Sequence, residues 1–238
     1  PQKAGDRIIA LAAEFYWIGK EESKITIMYE HREEGDLLTE FYRDVNKIDV
    51  DCFNILSDKC NPLEYMAARP FATRLSKFRP DAVLTMRSKI TKRPSRHDVG
   101  GNLTRFDNGR QVLDHFGRSR IDVKEFLKKM MISPKLEEFT LRGAAFHPQI
   151  TKKNPPEEMY DYPFLQCKFL PLETVATHLR EEVKWLTLIE LNKNMLLESI
   201  ELSMACYNSL ISIIERGQQT RVFSKFMTKF HEGRLLAN

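Results

Sequence analysis

Apolar and polar positions divide the chain into strand-like and helix-like stretches that alternate before giving way to helix. Residues 6–14, DRIIALAAE, form an apolar run suited to a buried strand, and residues 24–29, KITIMY, alternate with the period of a second strand. A charged turn, residues 31–35, leads to LLTEFYRDV, where Leu37, Leu38, Phe41, Tyr42 and Val45 fall on one helical face. β-prone residues 48–56 predict another strand. Pro62 then opens a predicted helix running to residue 75, since proline is tolerated in a first helical turn.

Residues 83–120 break this rhythm. They are rich in glycine, asparagine and basic residues, and predict an irregular strand-and-hairpin excursion turning at Asp107-Asn108-Gly109. Residues 119–129 return to strand or helix, and residues 136–146 read as helix apart from Gly143. NPPEE and YDYP mark residues 151–163 as loop. Residues 173–214 contain neither proline nor glycine, and Leu196, Ile200, Met204, Tyr207, Ile211 and Ile214 recur at steps of three and four, the stripe of a helix facing a core. Alternation followed by helices predicts an α/β domain with a helical C-terminal part. No internal repeat and no low-complexity tract interrupts it.

Composition narrows the class. At 238 residues, with 42% hydrophobic and 29% charged positions, the chain is long enough to bury a proper core and reads as a soluble globular protein. No apolar run approaches the roughly 20 residues that span a bilayer, so no membrane partner is expected. A start at Pro1 reads as a fragment or a processed product, not a signal peptide. The balance of 37 Lys+Arg against 33 Asp+Glu, +4 in all, is too mild to name a partner. Cys52, Cys60, Cys167 and Cys206 are widely spaced without a CxxC, as expected of reduced intracellular thiols. Nucleotide-loop, zinc-protease and serine-hydrolase signatures are missing. His97 and His147 stand alone, as surface or packing histidines do.

Two stretches invite a functional reading. Arg87, Lys89, Lys92, Arg93 and Arg96 put five cations in ten residues with no acid among them, which suits either a solvated loop or phosphate neutralisation. Only Phe106 lies nearby, so a base-stacking platform is not indicated. Between two amphipathic runs sits Arg216-Gly217-Gln218-Gln219. There the glycine permits a close approach or a turn, the amides can satisfy backbone groups freed at the join, and the arginine can bridge to an acid or a phosphate.

Three ordered stretches give this a context. ERGQQTRVFSKF, preceded by IELSMACYNSLISII, resembles the segment linking the 3′–5′ exonuclease domain of family-B DNA polymerases to the polymerase palm. GRSRIDVKEFLKKMMISPKLEEFTLRGAAFH is similar to a strand-helix unit of that family, with Gly117, Arg118, Asp122, Lys135, Leu136, Phe139 and Leu141 at matching positions. EEGDLLTEFYRDVNKIDVDCFNILSDKCNPLEYMAAR resembles the helix and strand before its second exonuclease motif, with Asn54, Tyr65 and Arg69 in register. PQKAGDRIIALAAEFY is similar to the strand after the first motif, which places that motif upstream of Pro1 and the polymerase half beyond Asn238. The resemblance covers nearly the whole chain. It implies a ribonuclease-H-like domain, a mixed sheet flanked by helices, over residues 1–190, and a helical linker over residues 191–238. It also implies DNA and the rest of a polymerase polypeptide or its accessory subunits as partners, and an intracellular setting, nuclear or at a viral replication site.

The family's exonuclease holds two Mg²⁺ or Mn²⁺ ions with four carboxylates. The first motif, Asp-x-Glu, is not in this chain. Counting forward from Asn54 puts Lys59 at the aspartate of the second motif, with Asp58 one residue off; counting back from Tyr65 puts Pro62 there, beside the uncharged Asn61. Counting back from the junction puts His178 and Glu182 where the third motif has tyrosine and aspartate. The extra methylene of a glutamate displaces its carboxylate, and a misplacement of about 1 Å can cost about a hundredfold in rate. A plain helical i, i+4 pair is the other reading of these two residues.

Three functions therefore compete. The first is an exonuclease-like domain with a degenerate site, contributing DNA binding and architecture to replication or repair. The second is part of an active proofreading exonuclease using Asp58 and Glu182 with Mg²⁺ or Mn²⁺. The third is a protein-interaction scaffold that no longer binds DNA.

Overall fold

A computed structural model describes residues 7–30, 33–56, 62–74, 102–105, 111–114, 118–129, 141–152, 154, 169–210, 213, 225, 227 and 229. Strands β1 (Leu11–Trp17) and β2 (Lys20–Tyr29) form an antiparallel hairpin in which Trp17 faces Lys20 across Ile18 and Gly19. Gly19 takes φ +78, a conformation that a two-residue hairpin turn demands and that glycine adopts without strain. Leu11, Ala13 and Phe15 lie opposite Tyr29, Ile27 and Ile25, and since alternate side chains share a face, this set turns toward the core, except that Ile25 near the turn end stays 45% exposed.

Helix α1 (Glu34–Ile48) covers that face with Leu37, Leu38, Phe41, Tyr42 and Val45, all buried as their spacing predicts. Tyr29 meets Phe41 edge-on, with ring centroids 5.5 Å apart. The helix stops at Asp49, which adopts the left-handed conformation (φ 61) and returns its N–H to the Val45 carbonyl. Ile48 therefore belongs to the helix, and β3 (Cys52–Ile55) is shorter than the predicted strand. The first strand also differs: it starts later than residue 6 and runs past Glu14, because its register is set by the turn at Gly19.

Helix α2 (Pro62–Ala72) begins at its proline and carries a second one, Pro70, close to its end. Strands β4 (Asn102–Arg105) and β5 (Gln111–Asp114) form the expected hairpin within residues 83–120, though its turn lies outside the described residues. β6 (Ser119–Asp122) then pairs parallel with β3, Phe53 beside Arg120 and Ile55 beside Asp122. The segment predicted as strand or helix is both: α3 (Val123–Lys129) follows β6 directly, and the Asp122 carboxylate accepts the Lys124 N–H at 3.1 Å as a helix cap does. α4 (Leu141–Ala145) contains Gly143 within it. α5 (Leu172–Lys193) and α6 (Met195–Cys206) are the last full-length elements described.

The β3–β6 ladder separates two cores. Phe53 and Ile55 point to a core with β1, β2, α1 and α2. Cys52 and Ile121, on the other face, join Phe126, Leu127, Ala144, Trp185, Ile189 and Met195. The architecture is mixed α/β, with three two-stranded sheets among the described residues. No helix among those residues is long and apolar enough to cross a membrane.

The C-terminal stripe needs correcting. α6 ends at Cys206, Tyr207 takes the left-handed conformation (φ 53), and the buried face of the helix carries Met195, Ser199 and Cys206. Leu196 is partly buried against the second core as predicted, whereas Ile200, Met204 and Tyr207 are 36%, 73% and 71% exposed, so the rest of the described seam turns outward; Ile211 and Ile214 lie outside the described residues. The reversal arises because α6 is apolar on nearly every side, and periodicity alone cannot choose which side the core takes.

Candidate functional site

The polar side chains that reach inside the fold define its candidate site. Asn54 lies on the β3 face that looks toward α5, and its Nδ2 approaches Glu190 Oε2 at 3.4 Å. The second oxygen of Glu190 accepts the Leu196 N–H at 2.8 Å, so one carboxyl touches β3, α5 and α6. Glu190 is only 5% exposed, and burial raises its pKa above the usual carboxylate range, opposed by the bonds from Leu196 and Asn54. Cys52, two residues before Asn54, carries a free thiol whose pKa burial, then the Glu190 charge, pushes up to about 12. Nothing in the sequence marked Glu190, because a glutamate in a helical run is normally read as part of the solvated face.

On the opposite face of the ladder, Arg120 reaches Glu64 of α2 at 3.1 Å, and Arg118 donates from Nη2 to Asn46 Oδ1 of α1 at 3.0 Å. Arg69 clasps Glu34 with two bonds, and Glu34 also accepts the Ile8 N–H at 3.0 Å. Thus Asn54, Arg69 and Arg118 hold separate elements together, Asp122 caps the start of α3, and Tyr65 is partly buried on α2.

His178 and Glu182 lie on α5 as an i, i+4 pair, His178 Nε2 at 3.3 Å from Glu182 Oε1. His178 is largely enclosed, its side chain 16% exposed, and is not the surface residue a simple helical pair suggests. An imidazole and one carboxylate can share a proton or form an ion pair. They cannot replace the four carboxylates of a two-metal centre. Among the described residues, no group of three or more His, Cys, Asp or Glu side chains could hold a metal ion. Pro62, one of the two residues that fall at the second-motif ligand, is the first residue of α2 and offers no donor.

His147 is buried, and its Nδ1 accepts the Gln149 N–H at 3.2 Å, which makes it a packing histidine at the end of α4. Asp58, Lys59 and Asn61 lie outside the described residues. So do His97, the basic set Arg87, Lys89, Lys92, Arg93 and Arg96, and the junction Arg216, Gly217, Gln218 and Gln219. No protein-family model matches this chain, and no curated protein matches it.

Proposed function

We propose that this chain is the exonuclease-like, ribonuclease-H-like domain of a family-B DNA polymerase. Its metal site is degenerate, and its work is to bind DNA and to hold the neighbouring polymerase half at a fixed angle. One observation carries the reading. Among the residues on which the resemblance rests, Asn54 ties β3 to α5, Arg69 ties α2 to α1, Arg118 ties the start of β6 to α1, and Asp122 caps α3. Retaining such contacts preserves an architecture, whatever becomes of its chemistry. A hairpin and a parallel ladder, both packed against helices, are compatible with the mixed sheet that the reading requires.

Mg²⁺ or Mn²⁺ does not fit the residues present. Glu182 is engaged with His178, and lysine or proline stands where the second motif needs an aspartate. The reading therefore assigns this chain no hydrolytic step. The direct test incubates the full-length polypeptide containing this chain with a 5′-labelled single strand and Mn²⁺. The labelled strand is expected to keep its length. Progressive shortening that disappears in Glu182→Ala would restore the proofreading exonuclease in place of the degenerate one.

A further inference from the structure

α6 is an apolar helix held at both ends. Glu190 Oε1 accepts the Leu196 N–H in its first turn, and beyond Cys206 the N–H groups of Tyr207 and Asn208 return to the Met204 and Ser203 carbonyls. One side packs inward with Met195, Ser199 and Cys206. Elsewhere round the helix, Leu197, Ile200 and Met204 recur at steps of three and four, Tyr207 continues the series just past the end, and all four are exposed. A helix that already has a core side has no use for a second apolar stripe of its own, and such a stripe left open marks a surface that something covers.

Charge and area narrow what covers it. The only charged residues of α6 are Glu198 and Glu201, both exposed. Each follows a stripe residue by one position, about 100° round the helix, so the two line one edge of the stripe. Two carboxylates without a cation repel the phosphates of nucleic acid or of an anionic membrane, and they attract a basic rim. Four side chains offer on the order of a few hundred Å², well short of the roughly 800 Å² per partner that a free-standing complex buries. A second copy or a free protein is not held by so small a patch alone. A domain joined by the same polypeptide meets it at an effective concentration of about a millimolar, where a small patch is enough.

We infer that the α6 stripe of Leu197, Ile200, Met204 and Tyr207 is the seat of the domain joined to this one, and that the face resting on it is apolar with a lysine or arginine rim toward Glu198 and Glu201. Under the proposed reading, on which this inference rests, that domain is the polymerase half, and α6 lies in the linker that leads to it. The left-handed turn at Asn194 and the Glu190 cap fix the direction in which α6 leaves α5, so the seat has a set orientation.

Methionine oxidation tests this in the full-length polypeptide, with Met195, fully buried on the same helix, as the internal standard. Under dilute peroxide Met204 should oxidise as slowly as Met195, at least about tenfold slower than in the urea-unfolded polypeptide. Oxidation of Met204 near its unfolded rate would overturn the seat. Glu198→Lys/Glu201→Lys, at two exposed positions, should speed oxidation of Met204 severalfold, and an unchanged rate would overturn the basic rim. A photo-crosslinking residue at position 204 identifies the occupant. Attachment to the polymerase half of the same polypeptide is expected; attachment to a second copy or to another protein would contradict the inference. Primer extension by the same preparation separates the two ways of failing. An open Met204 in a polypeptide that extends a primer defeats the seat alone, whereas a polypeptide without polymerase activity defeats the underlying reading and the seat with it.

Discussion

Arg69 on α2 grips Glu34, in the first turn of α1, with two parallel bonds: Nε to Oε1 at 2.7 Å and Nη2 to Oε2 at 3.0 Å. Both side chains are nearly enclosed, and Glu34 also holds the Ile8 N–H. Removing the arginine leaves the Glu34 carboxylate nearly enclosed, with the cation opposite it gone and only the Ile8 N–H left of the contacts described above. Arg69→Ala is therefore expected to destabilise the fold by about 3–5 kcal/mol in urea unfolding. The apolar double variant Arg69→Met/Glu34→Leu should recover most of that loss. A single variant as stable as wild type would show that the pair is not the tie it resembles.

Stability should respond to pH through Glu190. Its pKa is higher in the folded chain than its ordinary value of 4.5, chiefly because of burial. The folded state therefore favours the protonated form, and that contribution is complete below 4.5. It is lost as the pH rises through the elevated folded value. Glu190→Gln should gain on wild type by up to about 1.4 kcal/mol per pH unit inside that window and run parallel to it elsewhere. Paired denaturant melts between pH 4 and 8, pH values chosen to bracket about the carboxylate range, provide the measurement. A constant difference would contradict the assignment.

The thiol of Cys52 should be inert. With its pKa pushed up to about 12, almost none is thiolate near neutrality. Alkylation at about pH 8 should run about a thousandfold slower in the folded chain than in the unfolded one. Peptide mass spectrometry reads this directly, and equal rates would mean that Cys52 is open to solvent.

The legible and illegible parts of the sequence differ in physical kind. α1 was legible because Leu37, Leu38, Phe41, Tyr42 and Val45 lie on one face opposite charged residues, so only one packing is available. The hairpin at β4 and β5 was legible from its turn residues. α6 was not, because Leu197, Ile200 and Met204 compete with Met195 and Cys206 for the core, and the site of the break at Asn194 decides between them. Of the candidate site, the count back from the junction that the resemblance supplies led to His178 and Glu182, and the structure pairs them. Glu190 was invisible, since its burial depends on β3 and α6 arriving from distant parts of the chain.

Tyr207 offers a test of local strain. It closes α6 in the left-handed conformation, with its N–H and that of Asn208 returned to the Met204 and Ser203 carbonyls. The residue is 71% exposed and contributes little packing. Glycine adopts this backbone without steric penalty, so Tyr207→Gly should stabilise the chain by about 1 kcal/mol. A loss in thermal or urea unfolding would mean that the ring has a contact that matters.

The central claim is that this fold serves DNA without cutting it, and salt-dependent binding reaches that claim most directly. Fluorescence anisotropy with a labelled primer–template, repeated across salt concentrations, should give an affinity that falls steeply with log salt. Neutralising Lys89, Lys92 and Arg93 to glutamine should weaken binding and lower the slope by roughly two to three. An affinity and slope unchanged by the triple substitution, or no binding by the wild-type chain even at low salt, would contradict the account and favour a scaffold that binds protein.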